Sequence, residues 1–133
     1  MGKLKTVLLV DDDDTTNFLN KFFLNQLDKN LEVNIALNGR EAMEFLMLNA
    51  KDILPCLIVL DTNMPVMDGW EFLKSFDQKI GDEIKKKTVV VMMTAVDTDA
   101  VVTRALSDPN VSDTAQKPLS DIKFKNLIKK HFS

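Results

Sequence analysis

The chain has 133 residues, of which 45% are hydrophobic and 28% charged, and its formal net charge is −3. This length and composition predict one globular domain that buries a core without disulfide bridges, and they argue against a disordered or fibrous chain. The acidic balance argues against direct nucleic-acid binding, because nucleic-acid-binding domains usually carry a basic face.

Cysteine content and the amino-terminal segment indicate the cellular setting. Cys56 is the single cysteine, so no internal disulfide can form, and its apolar neighbours predict that it packs as a small hydrophobic side chain. The apolar run before the first aspartate is too short for a signal peptide or a membrane span. We therefore expect a cytoplasmic protein with no membrane contact.

Predicted strands alternate with predicted helices along the chain. Apolar runs rich in β-branched residues predict strands at Thr6 to Val10, Leu31 to Leu37, Leu57 to Leu60 and Thr88 to Met93. Apolar residues at helical spacing predict helices around residues 18–27, 42–47, 70–76, 101–106 and 122–128. The charged stretch 77–87 is expected to extend the third helix before looping. The regular alternation of strands and helices predicts a fifth strand at Val111 to Gln116.

The hydrophobic pattern of the strands predicts their arrangement. Strands one, three and four are near-continuous apolar runs, which is typical of a parallel sheet covered by helices on both faces, whereas the alternating second strand reads as an edge. The predicted fold class is α/β, an open doubly wound five-stranded parallel sheet of the flavodoxin-like (βα)5 type. In the order 2-1-3-4-5, strands one and three are neighbours.

Polar residues interrupt the apolar runs at the carboxyl ends of the strands. Asp11 and Asp12 end strand one, and Asp61 ends strand three. Thr94 ends strand four, and Lys117 ends the proposed strand five. In an open α/β sheet these ends converge on the crevice where such folds bind ligands. The sequence therefore predicts that three carboxylates, a hydroxyl and an ammonium group meet at one site.

This set of groups suits phosphoryl transfer. The carboxylates of Asp11, Asp12 and Asp61 are hard oxygen ligands for Mg²⁺ or Mn²⁺, and a cation would offset their mutual repulsion. Asp61 could then attack phosphorus and form an aspartyl phosphate. The metal, Lys117 and the Thr94 hydroxyl would neutralise charge on the phosphoryl oxygens.

Four further residues near these elements have structural interpretations. Asp13 and Asp14 precede the first helix, where aspartate caps the chain and complements the helix dipole, so we expect capping rather than metal binding. His131, the only histidine, is expected to complement the dipole at the frayed end of the last helix. Trp70 is expected in the core.

Four motifs in this order resemble the two-component response-regulator receiver domain of the chemotaxis-regulator type: "LLVDDD", "LIVLDTNMPVMDGWEFL", "VVVMMTA" and "QKPL". The resemblance covers essentially all of the chain. It implies a single receiver domain over residues 1–133 with no output domain, a phosphoacceptor signalling domain rather than an enzyme, which assists its own phosphorylation and dephosphorylation.

The resemblance also implies roles for individual residues around the metal. Asp61 matches the family's phosphoacceptor, and Asp12 matches its direct metal-ligand acid. Asp11 matches the acid that usually reaches Mg²⁺ through water, and Asn63 matches the residue whose backbone carbonyl coordinates the metal.

Two further positions match the groups that act on the phosphoryl oxygens. Thr94 matches the hydroxyl that hydrogen-bonds the phosphoryl group, and Lys117 matches the lysine that pairs with it. In the family the Lys-Pro bond here is cis, which implies a cis Lys117-Pro118 peptide.

One position departs from the family pattern. Three residues before the lysine the family usually has a tyrosine or phenylalanine that rotates inward on activation, whereas this chain has Thr114 and no tyrosine. The implied partners are a histidine kinase or histidine phosphotransfer protein as phosphodonor, and a downstream protein on the face made by the fourth predicted helix, the fifth strand and the closing helix. The aromatic half of the switch is absent, so any signal would leave this face by another rearrangement.

Other functions fit parts of the sequence. Asp11-x-Asp13-x-Thr15 also suits an aspartate-nucleophile phosphatase of the haloacid-dehalogenase type, which leaves Asp61 unexplained. A receiver that acts as a scaffold without phosphorylation is a second alternative, although such members usually lose a site residue. A calcium loop at Asp11 lacks the required glycine and glutamate. The chain could also be one domain of a hybrid kinase or longer regulator.

Overall fold

The computed structural model describes residues 2–95 and 99–133, and within these ranges five strands and six helices follow one another. The strands are β1 (Thr6–Val10), β2 (Glu32–Ala36), β3 (Cys56–Asp61), β4 (Thr88–Thr94) and β5 (Asp113–Gln116). The helices are α1 (Asp14–Leu27), α2 (Gly39–Asn49), α3 (Gly69–Lys79), α4 (Asp82–Lys85), α5 (Asp99–Leu106) and α6 (Asp121–His131). None of these helices has the length and apolar character needed to cross a membrane.

All five strands pair in parallel, in the order β2-β1-β3-β4-β5. This confirms the predicted sheet order and the edge position of β2. Val10 at the end of β1 lies opposite Leu60 in β3, so the next residues along the two strands are Asp11 and Asp61. The register of the sheet therefore brings two acidic residues side by side at its carboxyl edge.

Side-chain alternation along the buried strands divides the core into two layers. Every residue of β1, β3 and β4 is buried, because helices cover both faces of these strands. Leu8 faces the layer beneath α2 and α3, where it belongs to the same cluster as Phe72. Leu9 faces the layer beneath α1 and α6, where it joins Phe124. Cys56 is fully buried, as predicted.

The inner face of α1 differs from the face that its apolar pattern indicates. The helix itself is confirmed, but its buried residues are Asn17, Asn20 and Leu24. Phe18 and Phe22 are 61% and 51% exposed. The helix therefore turns two amides inward and leaves two phenylalanines on the surface, because Asn17 is needed for a hydrogen bond to the backbone at the end of β1.

Two predicted boundaries need refinement. The charged residues 77–79 extend the third helix, as expected, but the connection then contains a separate one-turn helix, α4, which begins after Gly81. Strand β5 begins at Asp113 rather than Val111, because the Val111 N–H closes a turn on the Asp108 carbonyl at 3.1 Å.

Gly69 allows α3 to begin directly against the end of β3. A Cβ atom at this position would lie 2.3 Å from the backbone oxygen of Asp61 and 3.1 Å from the Cα atom of Thr62. The Gly69 N–H donates to the Thr62 carbonyl at 3.1 Å. Glycine is required here by close backbone contact, since the atoms in the way are backbone atoms that cannot swing aside.

Replacing Gly69 with alanine is expected to lower the free energy of unfolding by about 1–3 kcal/mol, because the helix must move away from the strand. Urea denaturation measures the change. Gly81→Ala is the matched control, since a Cβ atom there meets nothing within 4 Å, and it should cost about 0.5 kcal/mol or less. Equal losses in the two variants would contradict the steric explanation.

Candidate functional site

The structure brings together three of the carboxylates at the carboxyl edge of the sheet. Oxygen atoms of Asp11, Asp12 and Asp61 all lie within 4.8 Å of one another. Asp11 is 1% exposed and Asp61 is 7% exposed, whereas Asp12 is exposed to solvent. The site is therefore an acidic pocket with two buried carboxylates at its base and one at its mouth.

Hydrogen bonds fix Asp11 at the corner between β1 and α1. Its N–H donates to the Ala36 carbonyl in β2 at 3.1 Å, and its Oδ1 accepts from the Asp13 N–H at 3.0 Å. The buried side chain of Asn17 donates from Nδ2 to the Asp11 backbone carbonyl at 2.8 Å. Sequence reasoning missed Asn17, although an asparagine among the apolar positions of a helix is a signal of such a contact.

Asp13 caps α1, as predicted. Its Oδ2 accepts from the Thr16 N–H at 3.0 Å and also from the Thr16 hydroxyl. The side-chain hydrogen bond from Thr16, followed by the backbone one, holds the pKa of Asp13 below its ordinary value. Asp14 lies in the first turn of the helix, where its charge complements the dipole. These two aspartates serve the helix, while Asp11 and Asp12 face the pocket.

Lys117 crosses the site and contacts both buried carboxylates. Its Nζ lies 2.7 Å from Asp11 Oδ2 and 3.3 Å from Asp61 Oδ1. Its backbone N–H donates to the carbonyl of Thr94, which is buried at the end of β4, at 2.8 Å. The Lys117-Pro118 peptide is cis, as expected, and Leu54-Pro55 is a second cis peptide that the sequence did not indicate.

The lysine ammonium group only partly balances the negative charge of the pocket. Burial raises the pKa of Asp61 above its ordinary value, and the charge of Asp11 raises it further, against the opposing effect of Lys117. Burial alone would lower the pKa of Lys117, but its hydrogen bond to Asp11 and the charge of Asp61 outweigh burial and raise it. The pocket therefore favours an additional cation.

The residues fit a magnesium ion. The donor atoms that converge are carboxylate oxygens, which are the hard ligands that Mg²⁺ prefers, and one ammonium group cannot neutralise three carboxylates. Asp12 lies at the exposed side, where an ion can keep the waters that Mg²⁺ releases reluctantly. Asn63 is exposed two residues after Asp61, and its role as a ligand stays a prediction.

The loop between β3 and α3 is anchored at both ends and carries local strain. The Met67 N–H donates to the Pro65 carbonyl at 2.7 Å across Val66, whose φ of 68° is unfavourable for a β-branched residue. The Met67 carbonyl accepts from the Gly39 N–H at the start of α2 at 2.8 Å. Asp68 begins α3 through a reciprocal pair of cap hydrogen bonds.

Two contacts connect strand β5 to helix α6. The Asp113 carboxylate accepts from Lys130 Nζ at 2.9 Å and lies 3.1 Å from His131 Nε2. His131 is the last residue of α6, as predicted, but it is half-buried and contacts Asp113 of the edge strand rather than lying at a frayed end. Thr114 is half-buried in β5, opposite Met92 of β4.

Trp70 is only partly buried, rather than fully in the core. It packs against the core layer beneath α2 and α3, and the guanidinium carbon of Arg104 lies 3.9 Å from its ring centroid. This cation–π contact links α3 to α5 at the surface.

Comparisons with known proteins agree on one family. The family model of the response regulator receiver domain matches residues 7–129. Chemotaxis protein CheY of Halobacterium salinarum is 31% identical over 128 residues, which cover 87% of this chain and 98% of that protein. The crystal structure of a two-component response regulator from Cytophaga hutchinsonii is 31% identical, covers 96% of both chains and superposes with a TM-score of 0.84.

Some relatives are much longer than this chain. The autoinducer 1 sensor kinase/phosphatase LuxN of Vibrio harveyi is 42% identical over 67 residues, which cover 50% of this chain and 7% of that protein. The aligned segment is therefore a small part of a larger sensor protein.

Asp61→Asn is expected to raise the free energy of unfolding at pH 7 when EDTA removes divalent cations. A raised folded-state pKa means that the folded protein retains a proton which the unfolded chain has lost, so Asp61 costs stability as the pH rises above the ordinary value of 3.8. Urea denaturation at several pH values measures the difference between variant and wild type. That difference should shrink toward zero below pH 3.8, and a gain that does not change with pH would contradict the assignment.

Asn17→Ala is expected to lower the free energy of unfolding by about 1–3 kcal/mol, because it leaves the buried Asp11 carbonyl without its donor. It should also weaken Mg²⁺ binding, followed by the fluorescence of Trp70. Asn25→Ala, an exposed asparagine on the same helix, is the control and should change stability by less than about 0.5 kcal/mol. Unaltered Mg²⁺ affinity in Asn17→Ala would show that this contact does not position the acidic corner.

Proposed function

The chain belongs to the response regulator receiver domain family of two-component signalling, and from this we propose that it accepts a phosphoryl group on Asp61 in a Mg²⁺-dependent reaction. The phosphoryl group would come from a phosphohistidine of a histidine kinase or histidine phosphotransfer protein. The observation that carries the proposal is the convergence of Asp11, Asp12 and Asp61 within 4.8 Å, with Lys117 in contact with two of them.

The carboxylates of Asp11, Asp12 and Asp61, with the backbone carbonyl of Asn63, would hold the metal. Bound Mg²⁺ supplies positive charge that lets the carboxylates ionise together and lets phosphoryl oxygens approach them. In the transfer step a carboxylate oxygen of Asp61 forms a bond to phosphorus while the bond from phosphorus to the donor imidazole nitrogen breaks. The imidazole leaves with the electron pair, and the product is a mixed anhydride on Asp61.

Lys117 and Thr94 would stabilise the phosphoryl group after transfer. The ammonium group of Lys117 lies 3.3 Å from Asp61 Oδ1, so it is already close to the position that an oxygen of a phosphoryl group attached there would take. Thr94 ends the neighbouring strand and would direct its hydroxyl to a second oxygen. The same residues would assist the later hydrolysis of the anhydride, with water entering on the exposed side of Asp12.

The phosphodonor would dock on the surface beside the pocket. The first turn of α1 begins at Asp14, next to the acidic corner, and the following turns expose Phe18, Leu19 and Phe22. Exposed apolar side chains grouped on one helix are typical of a protein–protein contact. A partner helix that covers them would also lie close to the mouth of the site.

The signal would leave through the face formed by α5, β5 and α6. Lys117 is bonded through its backbone to Thr94, so a shift of either residue toward a phosphoryl group pulls on the end of β5 directly. Because Thr114 stands where the family has an aromatic residue, this backbone connection replaces ring rotation in our proposal. The contact of Asp113 with Lys130 and His131 would carry the movement to α6.

The alternative functions find less support in the geometry. In a phosphatase of the haloacid-dehalogenase type Asp13 would be the general acid, but its carboxylate is committed to Thr16 at the start of α1. With Asp11 as the nucleophile, the buried carboxylate of Asp61, which also contacts Lys117, would have no role. A calcium loop would also need the carboxylate of Asp13.

Asp61→Asn is expected to abolish incorporation of phosphate when the purified protein is incubated with acetyl phosphate and Mg²⁺, because the amide cannot act as the nucleophile. Mass spectrometry measures the added phosphoryl group, and EDTA should abolish it in the wild type. Asp13→Asn is the matched control, since asparagine also caps a helix, and it should be labelled as well as the wild type.

Three results would each contradict the proposal in a different way. Labelling of Asp61→Asn at the wild-type level would place the phosphoacceptor elsewhere. Loss of phosphate-ester turnover in Asp11→Asn and Asp13→Asn would support a phosphatase. Absence of label in the wild type with acetyl phosphate and with a phosphohistidine donor would support a scaffold that works without phosphorylation.

A further inference from the structure

A groove lies at the pole of the molecule opposite the acidic pocket. It has a volume of about 660 Å³ and opens between the last turns of α1 and α6, beside the segment that leads into β1. Helix α1 spans 14 residues, so the groove and the pocket are separated by roughly 20 Å along this helix. A ligand in the groove would not occupy the phosphorylation site.

The floor of the groove is apolar and continuous with the core. Leu4, Leu31 and Phe132 line it and belong to the buried cluster beneath α1 and α6. Ile128 is half-buried there, and Leu27 is 37% exposed at its edge. The volume lies within the range of about 300–1,000 Å³ that is usual for ligand sites with mainly apolar walls.

The rim of the groove is basic although the whole chain is acidic. Lys3, Lys125 and Lys129 line it, together with Asp28, whose carboxylate accepts from the Asn30 N–H, and Ser133, whose N–H donates to the Gly2 carbonyl at 3.4 Å. Within residues 2–95 and 99–133 none of these three lysines forms an ion pair with a carboxylate.

A structural role explains only one of the three lysines. Lys129 lies in the last turn of α6, where a positive charge complements the helix dipole. Lys125 lies in the middle of that helix, and Lys3 lies on the segment before β1. Complementing a helix dipole therefore does not explain why Lys125 and Lys3 lie beside the apolar floor.

We propose that this groove binds a free single-chain anionic amphiphile, an alkyl or acyl chain with one carboxylate or phosphate head group. The chain would lie on Leu4, Leu31 and Phe132, and the head group would be held by the lysines of the rim. A second copy of the protein fits less well, because a symmetric contact would bring two basic rims together. A cationic amphiphile is excluded by the same charge.

Titration of ¹⁵N-labelled protein with dodecanoate, below the concentration at which it forms micelles, tests the proposal. The amide signals of Leu27, Leu31, Ile128 and Phe132 should shift in a saturable manner. Shortening the chain to decanoate should weaken binding roughly tenfold, because two methylene groups leave the apolar floor. Dodecyltrimethylammonium should cause no saturable shift of these signals.

Two variants and a matched control separate the apolar and the charged contributions. Lys125→Gln combined with Lys129→Gln should weaken dodecanoate binding about tenfold. Leu27→Asp should also weaken it about tenfold, because it places a charge at the edge of the floor. Lys74→Gln removes an exposed lysine from α3 on the opposite face of the sheet and should leave the affinity unaltered.

Asp61→Asn should bind dodecanoate as the wild type does, so the groove can be tested whether or not the phosphotransfer proposal holds. Shifts that do not saturate, or that centre on Phe18 and Phe22, would overturn the proposal in favour of general adsorption to exposed apolar side chains. Equal binding of the cationic amphiphile would overturn the role of the lysines. If the protein sediments with anionic phospholipid vesicles but does not bind dodecanoate, the proposal of a free ligand would be wrong and the groove would bind a membrane surface.

Discussion

Two buried carboxylates that share one ammonium group are the constraint on which the rest of this molecule depends. Parallel pairing of β1 with β3 places Asp11 and Asp61 side by side. Among the residues that the structure describes, only the ammonium group of Lys117, just after the edge strand β5, forms ion pairs with both. Burial and mutual repulsion make the ionised form of Asp61 costly. The fold therefore maintains a site whose negative charge is incompletely balanced, and such a site favours the binding of a cation.

The backbone around the pocket is organised to hold that unfavourable arrangement. A polar residue, Asn17, occupies a buried position of α1, where it donates to the Asp11 carbonyl. Gly69 has no side chain, which allows α3 to start against the backbone of Asp61. Each of these residues is a poor choice for local packing or helix stability. Both residues contact the backbone of the residues that carry the carboxylates, and so help to fix the position of Asp11 and Asp61.

The sequence predicted the sheet and the position of the pocket because both depend on short-range patterns. Continuous apolar strands indicated burial on both faces, and the polar residues that end them indicated the carboxyl edge. The inner face of α1 could not be read in this way, since the phenylalanines Phe18 and Phe22 fit a helical apolar stripe better than the buried asparagines do. The hydrogen bond from Asn17 to the Asp11 carbonyl accounts for the side of α1 that faces the core, and a periodic pattern of apolar residues does not reveal such a contact.

The remaining differences also arise from contacts between distant parts of the chain. His131 is held by Asp113, 18 residues earlier on the edge strand, which a view of the helix end alone cannot reveal. Helix α3 ends at Lys79, where the N–H of Ile80 donates to the Phe76 carbonyl at 3.0 Å. Cation–π contact with Arg104 likewise explains why Trp70 remains at the surface.

Val66 gives the loop after Asp61 an unfavourable backbone conformation. A valine with a φ of 68° is strained, and two hydrogen bonds hold the loop in this conformation: the Met67 N–H donates to the Pro65 carbonyl, and the Gly39 N–H donates to the Met67 carbonyl. Loss of either hydrogen bond would let the backbone of Val66 return to an allowed conformation. The strain at Val66 therefore offsets part of the free energy that is needed to move Met67 away from α2.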